Sequence, residues 1–183
     1  MPFNNIPQLI LPPQNGTAPH VTGSFGEPRG DKNHGGVDIN YVGGQSGINL
    51  THPTIHSPIS GTIEMPPNGG QYGTIGIRDQ YGNLHQILHT NSQLVTNGQE
   101  INAGDPIGTM GGTGPSGADE YDQHVHYQLR DPSGKIINPE TWGCPEFCVN
   151  GFSINSMKSV LQTGWRSGLA QLSSPGLASS TSC

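Results

Sequence analysis

His124-Val125-His126-Tyr127-Gln128-Leu129-Arg130 alternates polar and apolar residues along its whole length. Side chains on a strand point to opposite faces in turn, so this stretch reads as a β-strand with Val125 directed away from both histidines. His124 and His126 then share a face. Two imidazoles on one face can bind a metal together, or one can bind while the other handles protons. Alone, a His-x-His strand is more often incidental than functional, so its weight depends on what surrounds it.

Similar short alternations recur on either side, separated by turn residues. Downstream come the turn Asp131-Pro132-Ser133-Gly134 and the strand Lys135-Ile136-Ile137. Upstream, Thr74 to Arg78 and Leu84 to His89 flank Asp79-Gln80-Tyr81-Gly82-Asn83 and read as a hairpin. Gly61 to Met65 is a strand ended by Pro66-Pro67, and Ile107 to Met110 follows the turn Asn102-Ala103-Gly104-Asp105. Val37 to Val42 is a further strand. With 28 Gly and 16 Pro in 183 residues, and 11% of residues charged, the composition favours short strands and turns over long helices. The expected class is mainly β, an antiparallel sheet or sandwich.

This predicts three parts. Residues 1–21 form an extended arm, residues 22–142 the domain, and residues 143–183 an extension. In the extension, Ile154, Met157, Val160 and Leu161 have the spacing of one short helix, and the Ser-, Gly- and Ala-rich stretch from Ser173 to Cys183 reads as disordered. Cys144 and Cys148 are either two reduced thiols in a loop or a small disulfide closed in an oxidising compartment.

The second pair of chemical interest is His34 and Asp38, in His34-Gly35-Gly36-Val37-Asp38. The two glycines let the backbone turn and bring both side chains to one point. Zinc takes imidazole nitrogen and carboxylate oxygen, and a catalytic zinc has three protein ligands and one open position. His34, Asp38 and the pair His124 and His126 therefore supply three ligands with an imidazole to spare. His85, Ile87 and His89 share one face by period two, and one of these histidines is expected to look into the same cleft. A surface pair accounts for His85. His20, His52 and His56 read as solvated or supporting residues.

These motifs resemble the lysostaphin-type zinc endopeptidases, a family that includes LasA-like enzymes. His34-Gly35-Gly36-Val37-Asp38 is similar to the family's His-x-Gly-x-Asp element, and His124-Val125-His126 to its His-x-His element. Between them, the stretches Ser57 to Ile63, Gly73 to Asp79, Asn83 to His89 and Ala103 to Gly108 follow the family's order. The likeness covers roughly Thr22 to Trp142. It implies one Zn2+ held by His34, Asp38 and His126 at the floor of an open substrate groove. It also implies His124 as general base and His89 as the group that steadies the oxyanion, with His85 a competitor for that role. The implied substrate is the peptide cross-link of bacterial peptidoglycan, with a D-Ala–diaminopimelate bond favoured. Pro115 to Gln123 is longer than the family norm and leads into His124, so it is expected to wall the groove.

A formal charge of −6 and the lack of a basic cluster give no reason to expect nucleic acid or an anionic membrane as partner. Met1-Pro2-Phe3-Asn4-Asn5-Ile6 does not read as a secretory signal, and no stretch is long and apolar enough to span a membrane. The expectation is synthesis in the cytoplasm and action in the periplasm or wall of a target bacterium, as a phage lysin or a delivered antibacterial effector with a cognate immunity or delivery protein. Three other readings remain: a non-catalytic metal- or wall-binding regulator of other hydrolases, a virion component that zinc stabilises, and a general protease acting on glycine-rich proteins.

Overall fold

A computed structural model describes residues 6–142. The expected C-terminal helix, the disordered tail and the Cys144–Cys148 pair lie outside these residues. Within them the elements are α1 (Ile6–Ile10), β1 (His20–Gly23), β2 (Pro28–Arg29), β3 (Lys32–Asn33), β4 (Val37–Asn40), β5 (Thr54–His56), β6 (Gly61–Ile63), β7 (Ile75–Arg78), β8 (Leu84–Leu88), β9 (Thr90–Gln93), β10 (Glu100–Ile101), β11 (Pro106–Met110), β12 (Val125–Arg130) and β13 (Ile136–Ile137). The fold is mainly antiparallel β with little helix, as the alternation predicts.

The principal sheet runs β1-β4-β12-β8-β7-β6-β10, with β13 pairing β12. A smaller sheet, β5-β11-β9, lies beside it, and β2 and β3 form a separate ribbon. The two larger sheets meet closely. A Cβ on Gly108 of β11 would lie 2.9 Å from Ile75 Cδ1 of β7.

One face of the principal sheet makes the core. Val37 and Ile39 of β4, Val125, Tyr127 and Leu129 of β12, and Ile87, Ile75 and Ile77 of the hairpin are all fully buried. Each such side chain contributes roughly 1.5–3 kcal/mol by leaving water. A one-residue slip of β12 would turn its apolar residues outward and its histidines inward, so core burial also fixes the register that places the histidines.

The arm differs from its expectation. Residues 6–10 form one helical turn rather than an extended chain, and Ile6, Ile10 and Leu11 are buried in the core. Ile6 and Ile10 are four residues apart and so lie on one face of that turn. Pro7 sits where a helix needs no N–H, and Pro12-Pro13 stops it. The Tyr41 hydroxyl donates to the Pro12 carbonyl at 2.6 Å and ties the segment down.

Candidate metal centre

β4 and β12 are antiparallel neighbours with Asp38 opposite His126, Ile39 opposite Val125 and Val37 opposite Tyr127. Val37 and Ile39 point to the core, so Asp38 projects from the other face beside His126. Gly36 makes the approach to β12 possible. A Cβ there would overlap the Tyr127 carbonyl oxygen and lie 2.7 Å from His126 Nε2. Neither Gly35 nor Gly36 has a positive φ. Neither glycine is there for left-handed backbone, and Gly36 serves close approach.

His34 arrives from the loop after β3. Its Nδ1 lies 2.9 Å from the Ser24 carbonyl oxygen, which can only accept. In the neutral ring the proton is thus on Nδ1, and Nε2 offers a lone pair. That Nε2 is 2.9 Å from His126 Nδ1 and 3.1 Å from Asp38 Oδ1, and His126 Nδ1 is 3.0 Å from the same oxygen. The three donors form a nearly equilateral triangle among buried residues. Tetrahedral zinc with bonds of about 2.0–2.1 Å spaces its ligand atoms by about 3.3 Å, so the triangle needs only slight expansion to hold such an ion.

The electrostatics suit a cation. Burial opposes the charge on Asp38, but hydrogen bonds from His126 and Arg29, with His124 and His34 nearby, hold its carboxyl well below the usual range. Burial lowers the His34 pKa despite the adjacent Asp38, which keeps its lone pair free.

Two more histidines border the centre. His124 Nε2 is 3.6 Å from Asp38 Oδ1, while its Nδ1 is 2.6 Å from the Asp122 carbonyl oxygen. The His89 ring lies 4.7 Å from that of His124 and 5.8 Å from that of His126, centre to centre. His89 Nδ1 is 2.7 Å from the Thr113 carbonyl oxygen. Burial pushes the His89 pKa down to about 4, with the neighbouring His124 and His126 adding to the shift and the Thr113 bond opposing it. Both rings, when neutral, therefore turn an unprotonated Nε2 away from their carbonyl partners.

His85 and His89 part company, contrary to the shared face that period two predicts. His89 has φ 65°, so the chain turns left-handed there and the ring leaves the core face. His85 stays behind. The surface reading is corrected: its exposure is 0%, the Tyr127 hydroxyl donates to its Nδ1 at 2.6 Å, and Trp142 stands edge-on 4.5 Å away. A core neighbour could bury this polar ring because Tyr127 and Asp79 supply partners for it. His85 thus drops out as a competitor for the cleft. His20 is exposed and His52 contacts the Met110 carbonyl. Among the described residues, only His34, Asp38 and His126 form a metal-holding group.

A cleft of about 460 Å³ opens beside the centre, lined by Arg29, Asp38, Tyr121 and His124 among others. Tyr121 comes from the long loop before His124, and its ring lies 4.8 Å from His89. Tyr72 also meets His89, edge-on at 5.8 Å. Tyr121 belongs to the loop expected to wall the groove, whereas Tyr72 and Arg29 escaped the sequence reading. Of these two, Arg29 carried a signal, as a cation at a Gly30-Asp31 turn just before the first motif.

Residues 32–139 match peptidase family M23, a span that includes all five of the histidine and aspartate residues around the centre. The chain belongs to peptidase family M23. Its fold is shared with the catalytic domain of the prophage-encoded M23 protein EnpA from Enterococcus faecalis, at 24% identity and a TM-score of 0.54, over 72% of this chain and 96% of that one. It is shared also with a putative glycyl-glycine endopeptidase LytM from Ruminococcus gnavus, at 21% identity and a TM-score of 0.58, over 74% and 58% of the two chains. A chain of the SpoIIIAH and SpoIIQ complex is similar at 18% identity and a TM-score of 0.51, over 71% and 94%. No curated protein sequence matches the chain. The M23 membership and the antiparallel β fold both bear out the resemblance read from the two motifs.

Proposed function

We propose that this M23 chain is a zinc-dependent endopeptidase that hydrolyses the peptide cross-links of bacterial peptidoglycan. The observation that supports it most is the convergence of three metal donors with two further imidazoles on one face of the sheet. His34, Asp38 and His126 are the residues to hold the ion. Bound zinc supplies a Lewis acid and lowers the pKa of its water to about 7.

The chain's own residues carry the proton traffic. His124 donates its Nδ1 proton to the Asp122 carbonyl, which fixes the tautomer and leaves Nε2 as acceptor. His124 takes the proton of the attacking water and returns it to the leaving amine. His89 faces the same space. With its Nδ1 proton on the Thr113 carbonyl, it steadies a developing oxygen anion only as imidazolium, and burial opposes that charge. Its neutral Nε2 is a second acceptor, suited to orient a substrate N–H. The cleft walled by Tyr121 accepts an extended peptide, and the D-Ala–diaminopimelate cross-link is the favoured bond.

Action on the wall of a target bacterium, as a lysin or delivered effector, completes the reading. Among the described residues no helix is long and apolar enough to cross a membrane. The test is digestion of purified sacculi with and without chelator, followed by mass analysis of the fragments. Release of cross-link fragments that stops with chelator and returns with zinc supports the reading. Release that ignores the chelator, or none with zinc bound, refutes it.

A further inference from the structure

The two oxygens of Asp38 do different things. Oδ1 faces His34 Nε2, His126 Nδ1 and His124 Nε2 at 3.1, 3.0 and 3.6 Å. Oδ2 turns away and accepts from Arg29 Nη2 at 2.5 Å.

The surroundings are arranged for this second contact. Gly23 of β1 lies opposite Asp38 in the β1–β4 register. A Cβ there would sit 2.5 Å from Arg29 Nη2 and 2.7 Å from Asp38 Oδ2. The space for the ion pair thus exists because β1 carries no side chain at that point. Arg29 stands at the end of β2, and the residues of both β2 and β3 are exposed, so core burial does not hold this ribbon. Its backbone bonds run to His34 instead. The Gly26 N–H donates to the His34 carbonyl and the His34 N–H to the Glu27 carbonyl, each at 2.8 Å. One hairpin therefore delivers a metal ligand and the cation that faces another ligand's spare oxygen. The Arg29 side chain is 44% exposed and that of Asp38 9%, so the guanidinium reaches inward from the cleft wall.

A carboxylate beside a metal binds through one oxygen or through both. A catalytic site needs an open position, and a second carboxylate oxygen would fill it. A charge-assisted hydrogen bond to that oxygen is among the stronger polar contacts a protein makes. We propose that Arg29 is a positioning residue that holds Asp38 Oδ2 off the metal, so that the carboxylate binds through Oδ1 alone and one coordination position stays open. This rests on the metal-centre reading above.

The test is the visible spectrum of the cobalt(II)-substituted protein, since the d–d bands of four-coordinate cobalt are more intense than those of five-coordinate cobalt and report the coordination geometry. Wild type is expected to show the intense four-coordinate bands. Arg29→Met is expected to lose them severalfold while holding zinc at least as tightly, and its kcat on sacculi to fall about 10–100-fold with KM little changed. Arg29→Lys keeps a cation for Oδ2 and is expected to restore the wild-type spectrum. An Arg29→Met spectrum identical to wild type overturns the inference alone, and so does loss of zinc affinity in step with kcat, which marks a merely structural role. A wild-type protein that takes up no cobalt overturns the metal reading with it. Should Arg29→Met fail to fold, a five-coordinate spectrum in Arg29→Lys equally overturns the inference.

Discussion

Asp38 and His126 face each other across the β4–β12 ladder, and 3.0 Å separates Asp38 Oδ1 from His126 Nδ1. Because the apolar residues on either side of each are locked in the core, this pairing is fixed by packing energy and not by a bound ion. The centre is therefore expected to be largely formed before metal arrives.

Asp38→Ala and His126→Ala should fold but fail to retain zinc after dialysis. Wild type should gain thermal stability on zinc addition, because an ion that binds only the folded state stabilises it by mass action, by about 2.7 kcal/mol at a hundredfold excess over Kd. Metal analysis with a melting series checks both points. A zinc-induced shift that survives in Asp38→Ala would place the ion elsewhere.

His124→Ala should behave differently. It removes a proton acceptor and no ligand, so zinc content should remain near one per chain while turnover on sacculi drops about 10²–10⁴-fold. Full activity with zinc still bound would remove His124 from the proposed chemistry.

The two glycines of the first motif should respond unequally to alanine. On Gly36 the new methyl group strikes the β12 backbone and lies 2.7 Å from His126 Nε2, whereas on Gly35 its nearest atom is the end of the Gln128 side chain at 3.1 Å. Gly36→Ala should lower both stability and zinc affinity, and Gly35→Ala should change each little. Urea unfolding and zinc competition would measure the pair, and equal effects would contradict the close-approach account.

The buried His85 predicts acid sensitivity. Burial lowers its folded pKa from 6.5 to about 4, against the opposing pull of Asp79. The unfolded ring takes a proton near 6.5 and the folded ring only near 4, so the unfolded state binds more protons between these values. Stability from this residue is present above pH 6.5 and is lost as pH falls toward 4, by an amount on the order of 3 kcal/mol. His85→Phe, compared with wild type in chelator by urea unfolding, should flatten that slope. Identical slopes would rule His85 out as its source.

The parts of the fold that repetition encodes were legible in the chain. β12 shows as alternating residues, and the hairpin of β7 and β8 as two such runs around Asp79 to Asn83. That His34 and Asp38 would meet the His124–His126 strand followed from donor types that suit zinc, while the choice of His126 over His124 as third ligand came from the likeness to the lysostaphin-type enzymes. What escaped has non-periodic causes. The positive φ at His89 breaks the alternation that put it beside His85. His85 looked like surface because its burial depends on Tyr127, 42 residues away. Ile6, Ile10 and Leu11 sit among prolines that suggest extended chain, and the core that all three enter holds residues 6–10 as a helical turn. Arg29 belongs to a two-residue strand, too short to show a pattern, and its meaning lies in an oxygen on a different strand.

The central claim is a single ion held by two imidazoles and one carboxylate oxygen, with one position left to solvent. X-ray absorption at the zinc edge of the loaded protein tests it most directly. The account predicts four nitrogen or oxygen neighbours at about 2.0–2.1 Å with the multiple-scattering signature of two imidazoles. Three imidazoles with no solvent ligand, or sulfur neighbours at about 2.3 Å, would contradict it.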